Sequence, residues 1–375
     1  MNAQLLGGLT PERFLAEYWH KKPLLIRQAI PGFKGVIDLD DLFDLACDED
    51  VESRYIREHD GQWEVRSGPQ EEHLLEDRSH PWTVLVQGLE LWQREADELL
   101  HRFDFIPQAR LDDIMVSYAT DGGGIGAHVD SYDVFLLQGS GQRRWRISAQ
   151  ADLRLHGDVP LKLLADFRPE EEWVLEPGDM LYLPPHIAHE GIAIGECTTY
   201  SIGFRAPTAN ELAGEFLFWL QERLDLPGRY ADPDLTVQPN SAHIAPAMVD
   251  QVADMLTRIH WSREDVSAFL GHHLSEPRPN VFFDAPDALL SAEAFASQIN
   301  EHGFILDPGT RLLSVNDTFF LNGTALAVAP EDRAEVAAFA HARRLPAGTL
   351  PGAGLTALLY EVYRHGLGYP DHEED

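Results

Sequence analysis

Residues 122–145 read GGGIGAHVDSYDVFLLQGSGQRRW. The glycines at 122–124 and 126 make a turn, or let another backbone come close, because no Cβ stands in the way. His128 and Asp130 follow as an H-x-D pair. In extended chain, residues two apart point to the same face, so both side chains aim at one spot. Residues 134–138 then read as an apolar strand, Gly139-Ser140-Gly141 as a turn, and 144–147 as a returning strand. Alternation puts Arg143 with Trp145 on one face of that strand and Arg144 with Arg146 on the other, so only one set can face inward.

An H-x-D pair alone is a weak signal, because among 17 histidines about one or two chance matches are expected. The segment 176–189, EPGDMLYLPPHIAH, strengthens it. A tight turn at Pro177-Gly178, an apolar strand and a Pro-Pro corner deliver His189, 61 positions after His128. Two imidazoles and one carboxylate form a facial triad that leaves one side of a ferrous ion open for a cosubstrate and dioxygen. His186 is a rival ligand, three residues earlier at the corner and expected to point outward.

Outward from this centre, short strands are expected at 114–119, 172–175, 180–183 and 198–204, with Gly/Pro turns between them, which argues for an antiparallel barrel or double-sheet jelly roll. On the amino-terminal side, Thr10-Pro11-Glu12 starts a helix. Residues 53–67 form a hairpin about Asp60-Gly61, and 90–103 a helix. After Pro207 the texture changes. Residues 210–226 carry apolar side chains on much of the helix surface, so that helix packs on two sides and a homodimer is expected through it. Two more helices follow at 247–259 and 262–270. The proline-rich 275–286 is a linker, and helices and strands alternate beyond it. The chain thus divides at 1–206, 207–285 and 286–375.

With 62 Asp and Glu against 29 Lys and Arg, the formal charge is -33. Such a surface repels nucleic acid and anionic membrane and attracts basic partners. From Pro286 onward there are 13 acidic residues, 5 Arg and no Lys, so this region lacks the basic face that DNA binding needs. Two cysteines, Cys47 and Cys197, cannot make a disulfide framework and suit a reducing cytosol. No signal peptide and no membrane span are visible, so a cytoplasmic protein is expected.

The two histidine-bearing segments, with FLAEYWHKKPL near the start, resemble a JmjC-type cupin. The segments GGGIGAHVDSYDVFLLQGSGQRRWRI, PPHIAHEG and YSIGFRAP are similar to the bacterial ribosomal oxygenases, and the match covers nearly the whole chain. His186 departs from the pattern, which usually has glycine there. The resemblance implies a jelly-roll catalytic domain, a helical dimerisation segment and a small winged-helix-like α+β domain. It implies oxidation with Fe(II), 2-oxoglutarate and dioxygen. The metal is then held by His128, Asp130 and His189, and the far carboxylate of 2-oxoglutarate by Arg143, a guanidinium suited to bidentate grip. Ser117 and Ser201 are candidate hydroxyl partners for the cosubstrate. The implied substrate is an arginine of a large-subunit ribosomal protein, the sixteenth of its series. Asp121 and Asp133 flank the motif closely enough to pair with that guanidinium. Hydroxylation of a ribosomal histidine, a ribosome-binding cupin without catalysis, and a small-molecule cupin enzyme are the competing readings.

Overall fold

Residues 134–138 are all buried, and that decides the layering. Phe135 and Leu137 join one apolar core with Phe14, Phe103, Tyr182 and Phe204. Val134 and Leu136 join a second core with Trp145, Ile147, Leu175, Leu181 and Leu183. A strand covered on both faces needs an unbroken apolar run rather than alternation, and this segment has one.

The computed structural model describes residues 3–157 and 159–372. They separate into two compact units, 1–206 and 207–375. The first has strands β1 (Leu24–Ile26), β2 (Ser53–His59), β3 (Gln62–Ser67), β4 (Thr83–Val86), β5 (Leu111–Ala119), β6 (Val134–Gln138), β7 (Gln142–Ser148), β8 (Glu171–Leu175), β9 (Met180–Leu183), β10 (Ala188–Ile194) and β11 (Cys197–Phe204). They form an antiparallel sheet of eight in the order β1-β9-β6-β11-β5-β4-β2-β3, and a second of three in the order β10-β7-β8. The two sheets pack through the core around Trp145, which makes the double-sheet cupin expected. Helices α1 (Pro11–Glu17), α2 (Leu39–Cys47), α3 (Glu72–Glu76) and α4 (Arg94–Leu100) contribute Phe14, Leu42, Leu75 and Leu99 to the core on the outer face of the large sheet. Thr10 caps α1 by accepting from the Arg13 amide. The hairpin turn has Asp60 at φ 51° and Gly61 at φ 79°, the left-handed pair that a two-residue turn requires. The helix expected at 90–103 is shorter, α4 being flanked by single turns of 3-10 helix at Leu89–Leu91 and His101–Phe103.

In the second unit, α5 (Ala209–Gln221), α6 (Pro246–Leu256) and α7 (Arg263–Ser275) come first. Capping boxes start α5 at Thr208 and Glu211, and α7 at Ser262 and Asp265. Then come α8 (Ala292–His302), β12 (Phe304–Leu306), β13 (Leu312–Val315), β14 (Thr318–Leu321), β15 (Thr324–Leu326), α9 (Arg333–Ala342), β16 (Arg344–Leu345), α10 (Ala353–Arg364) and β17 (Gly368–Pro370). One sheet runs β16-β12-β17 and the other β13-β14-β15. Phe295, Phe304, Phe339, Leu355 and Leu359 fill the core. Gly271 of α7 lies against the Phe320 ring, where a Cβ would sit 2.2 Å from it. So α7, read from sequence as part of the helical segment, packs on the sheet beyond the proline-rich stretch. No helix among the described residues is long and apolar enough to cross a membrane.

Candidate metal centre

The glycine-rich segment runs as an extended edge beside β10. The amide of Gly122 donates to Ala193 O at 3.1 Å, and that of Ala193 to Gly123 O at 2.9 Å. Further along, His128 and His189 form a bridge, each amide donating to the other's carbonyl at 3.0 and 2.9 Å, and the His186 amide donates to Asp130 O at 2.8 Å. This approach needs glycine: a Cβ on Gly124 would lie 2.5 Å from Gly191 O. Main-chain pairing thus brings two segments 61 residues apart into register at the two histidines.

The three side chains meet as expected. One ligand atom from each of His128, Asp130 and His189 lies within 4.8 Å of the others. The imidazoles stand 4.2 Å apart between centroids, and His189 Nε2 is 3.5 Å from Asp130 Oδ2. His128 Nδ1 lies 3.0 Å from Gly126 O, and His189 Nδ1 lies 2.9 Å from Ile187 O. A carbonyl only accepts, so each Nδ1 carries the proton and each Nε2 presents a lone pair inward. Burial first, and the His128 ring second, push the His189 imidazole down to about 4 despite Asp130 beside it. His189 is therefore neutral, as a ligand must be. Two imidazoles and one carboxylate, all aimed at one point, fit a divalent iron. His186 is exposed, and its φ of 66° explains why glycine suits this corner.

A cavity of about 440 Å³ opens between the sheets at the triad. Along β7 burial alternates, with Arg143, Trp145 and Ile147 buried. The inward set is therefore Arg143 and Trp145, while Arg146 turns out to pair with Glu190. Arg143 is 4 % exposed and lines the cavity, and its Nε and Nη2 are buried without a hydrogen-bond partner. A guanidinium so placed is costly unless an anion completes it. Ser117 and Ser201 also line the cavity, with Ser117 Oγ donating to Thr199 O at 3.3 Å.

Two expected residues lie elsewhere. Asp121 is exposed, does not line the cavity, and accepts from the Gly195 amide at 2.7 Å; it closes a turn. Asp133 is fully buried and is also absent from the cavity wall. Its Oδ1 accepts from Tyr182 Oη at 2.5 Å and its Oδ2 lies 3.2 Å from His20 Nε2. Closeness in sequence to the H-x-D pair misled because strand alternation turns Asp133 to the opposite side. The wall includes residues not anticipated, among them Arg54, Met115, Tyr132 and Thr199. Met115 and Thr199 share their strand faces with Ser117 and Ser201, a period-two signal that was available in the sequence. Partial burial first, then Asp130, Asp113 and Asp112, push the Tyr132 phenol up, with Arg54 opposing them.

The JmjC domain family matches residues 98–212, and the ROXA-like winged helix family matches residues 255–367. The Escherichia coli ribosomal protein uL16 3-hydroxylase is 33% identical over 315 residues, 83% of each chain. The chain belongs to the ribosomal oxygenases. A probable ribosomal oxygenase of Haemophilus influenzae is 42% identical over 215 residues, 54% of this chain and 52% of that one. The crystal structure of E. coli YcfD superposes with a TM-score of 0.82 at 29% identity, covering 96% of this chain and 98% of that one. YcfD in complex with cobalt and 2-oxoglutarate superposes at 0.80, also at 29% identity and with the same coverage. The winged-helix match of this ribosomal oxygenase starts at 255, ahead of the 286 read from sequence, and takes in α7.

Proposed function

We propose that this chain is an Fe(II)- and 2-oxoglutarate-dependent hydroxylase of an arginine in ribosomal protein uL16. The observation that carries it is the His128–Asp130–His189 triad opening on a cavity whose wall holds the Arg143 guanidinium, with Nε and Nη2 unpartnered. His128, Asp130 and His189 would hold the metal. With iron bound, the site supplies coupled oxidation: 2-oxoglutarate is oxidised to succinate and carbon dioxide, and the second atom of dioxygen enters a substrate C–H bond. Arg143 grips the far carboxylate of the cosubstrate, in a dry setting where a charge-assisted bond is strong. Ser117 and Ser201 are the hydroxyls placed to share that grip. Trp145, whose ring lies 5.9 Å from the Arg143 guanidinium, keeps water from it. Asp130, Asp113 and Asp112, whose charges are felt at Tyr132, have the sign that a target guanidinium needs.

The relative's name supplies uL16, and the YcfD complexes with cobalt and 2-oxoglutarate or succinic acid support the cosubstrate. The acidic surface steers a basic ribosomal protein toward the enzyme in the cytoplasm and argues against direct DNA binding. A second copy is the partner that best covers α5 and α6. On α5, Phe216 and Trp219 pack on Phe269, while Leu217 and Phe218 remain 54% and 65% exposed; on α6, Val249 and Leu256 are 56% and 57% exposed.

The test is intact and fragment mass analysis of uL16 incubated with enzyme, Fe(II) and 2-oxoglutarate. One added oxygen on an arginine is expected. An oxygen on histidine would move the substrate assignment, and no iron-dependent release of succinate would sink the enzyme assignment.

A further inference from the structure

The cavity wall holds a second guanidinium, that of Arg54. Arg54 pairs in register with Leu85, Leu85 with Ser117, and Ser117 with Thr199. All four line the cavity, so Arg54 ends a row of inward side chains that crosses the large sheet. Strands lie about 4.8 Å apart, which sets the Arg54 main chain about 10 Å from that of Ser117. Arg54 Nε is buried without a hydrogen-bond partner, and among the described residues no carboxylate pairs with this side chain.

Arg54 is half-buried, and a buried guanidinium N–H without an acceptor costs free energy, so it marks a place where an oxygen is expected to arrive. The cosubstrate cannot supply it. One end of 2-oxoglutarate goes to the metal, and its single remaining carboxylate is taken by Arg143. The target side chain cannot supply it either, because two guanidiniums repel. What remains is the polypeptide on either side of the target.

We infer that Arg54 is a specificity-determining residue that binds an oxygen acceptor of the substrate polypeptide, a main-chain carbonyl or a side-chain carboxylate next to the target arginine. The inference rests on the assignment of uL16 as substrate. Arg54 also repels the target guanidinium, and so fixes which way the substrate segment lies across the cavity.

Arg54→Met and Arg54→Lys test it. Calorimetry with recombinant uL16 is expected to show binding weakened about tenfold or more in Arg54→Met and partly restored in Arg54→Lys. The KM for 2-oxoglutarate and the melting temperature are expected to stay at wild-type values. A uL16 peptide in which any Asp or Glu next to the target is changed to its amide separates the two acceptors: if its binding no longer responds to Arg54→Met the acceptor is a carboxylate, and otherwise it is a carbonyl. Unchanged uL16 affinity in Arg54→Met overturns the inference. So does a raised KM for 2-oxoglutarate with uL16 affinity intact, which would place Arg54 in the cosubstrate site. If the wild-type protein does not bind uL16, the substrate assignment itself fails and takes this inference with it.

Discussion

His128 and His189 are hydrogen-bonded to each other twice through their main chains, at 3.0 and 2.9 Å, and their rings stand 4.2 Å apart. The backbone bridge holds the two ligands in place before any metal arrives, so a ligand can be deleted without undoing the fold. His128→Ala and His189→Ala are therefore expected to retain the far-ultraviolet circular dichroism of the wild type while losing cobalt binding, followed by the visible absorption of the metal, by about 100-fold or more. Retained cobalt affinity in His189→Ala would remove this histidine from the ligand set.

Arg143→Met leaves the anion site without its cation. We expect the KM for 2-oxoglutarate to rise about 100-fold, with cobalt affinity within about twofold of wild type, since the metal ligands are untouched. Isothermal titration with 2-oxoglutarate against the cobalt-loaded protein checks it.

Acid should destabilise the metal-free protein through His189. Its imidazole is held down to about 4 when folded and titrates near about 6.5 when unfolded. Between these values the unfolded chain binds the extra proton. The stability that neutral His189 contributes is thus present above about pH 6.5 and is lost as pH falls through about 4, with a slope of at most about 1.4 kcal/mol per pH unit. Urea denaturation at pH 7 and pH 5 measures it, and the His189→Gln protein should show a smaller difference between the two.

Asp133 is a fastening rather than a substrate contact. Its carboxylate ties Tyr182 and His20 to the segment that follows Asp130, and burial first, then Asp133, holds the Tyr182 phenol protonated. Asp133→Ala is expected to lower stability by about 3 kcal/mol in urea denaturation, leaving the KM for uL16 unchanged. Normal stability with a raised KM would return Asp133 to the substrate side.

Association with a basic protein should weaken with salt. For a formal charge of -33, screening over about 8 Å at physiological ionic strength is expected to cut the association rate with uL16 by about tenfold between low and moderate salt. Stopped-flow mixing at several salt concentrations reads this, and a flat response would leave the acidic surface without a role in recognition.

How much of this was legible in the sequence follows from what each residue has around it. The strand at 134–138 announced itself because both of its faces are buried. The Arg143 face of β7 could be narrowed to two choices by alternation, but choosing between them needed the second sheet. Strand β10 was missed. It follows a Pro-Pro corner, and Gly191 reads as a breaker. That glycine is there because the Trp145 ring fills the space, with a Cβ position 2.8 Å from the ring. Arg54 was read only as part of the hairpin at 53–67, yet Tyr55 and Ile56 beside it are each 1% exposed, which is the mark of a strand buried on both faces. Asp121 and Asp133 were chosen by nearness along the chain, and nearness along a strand says nothing about which side a residue faces.

Strand β10 lies between the two halves of the chemistry. Along one edge it meets the metal-binding segment at His128, and along the other it meets β7, with Gly191 opposite Trp145 and Ala193 opposite Arg143. A slip of one residue in this strand would reverse its faces, turning His189 away from His128 and shifting Gly191 from the Trp145 ring that packs on it. One strand register thus governs both where the second histidine of the triad stands and how closely the wall beside Arg143 can pack.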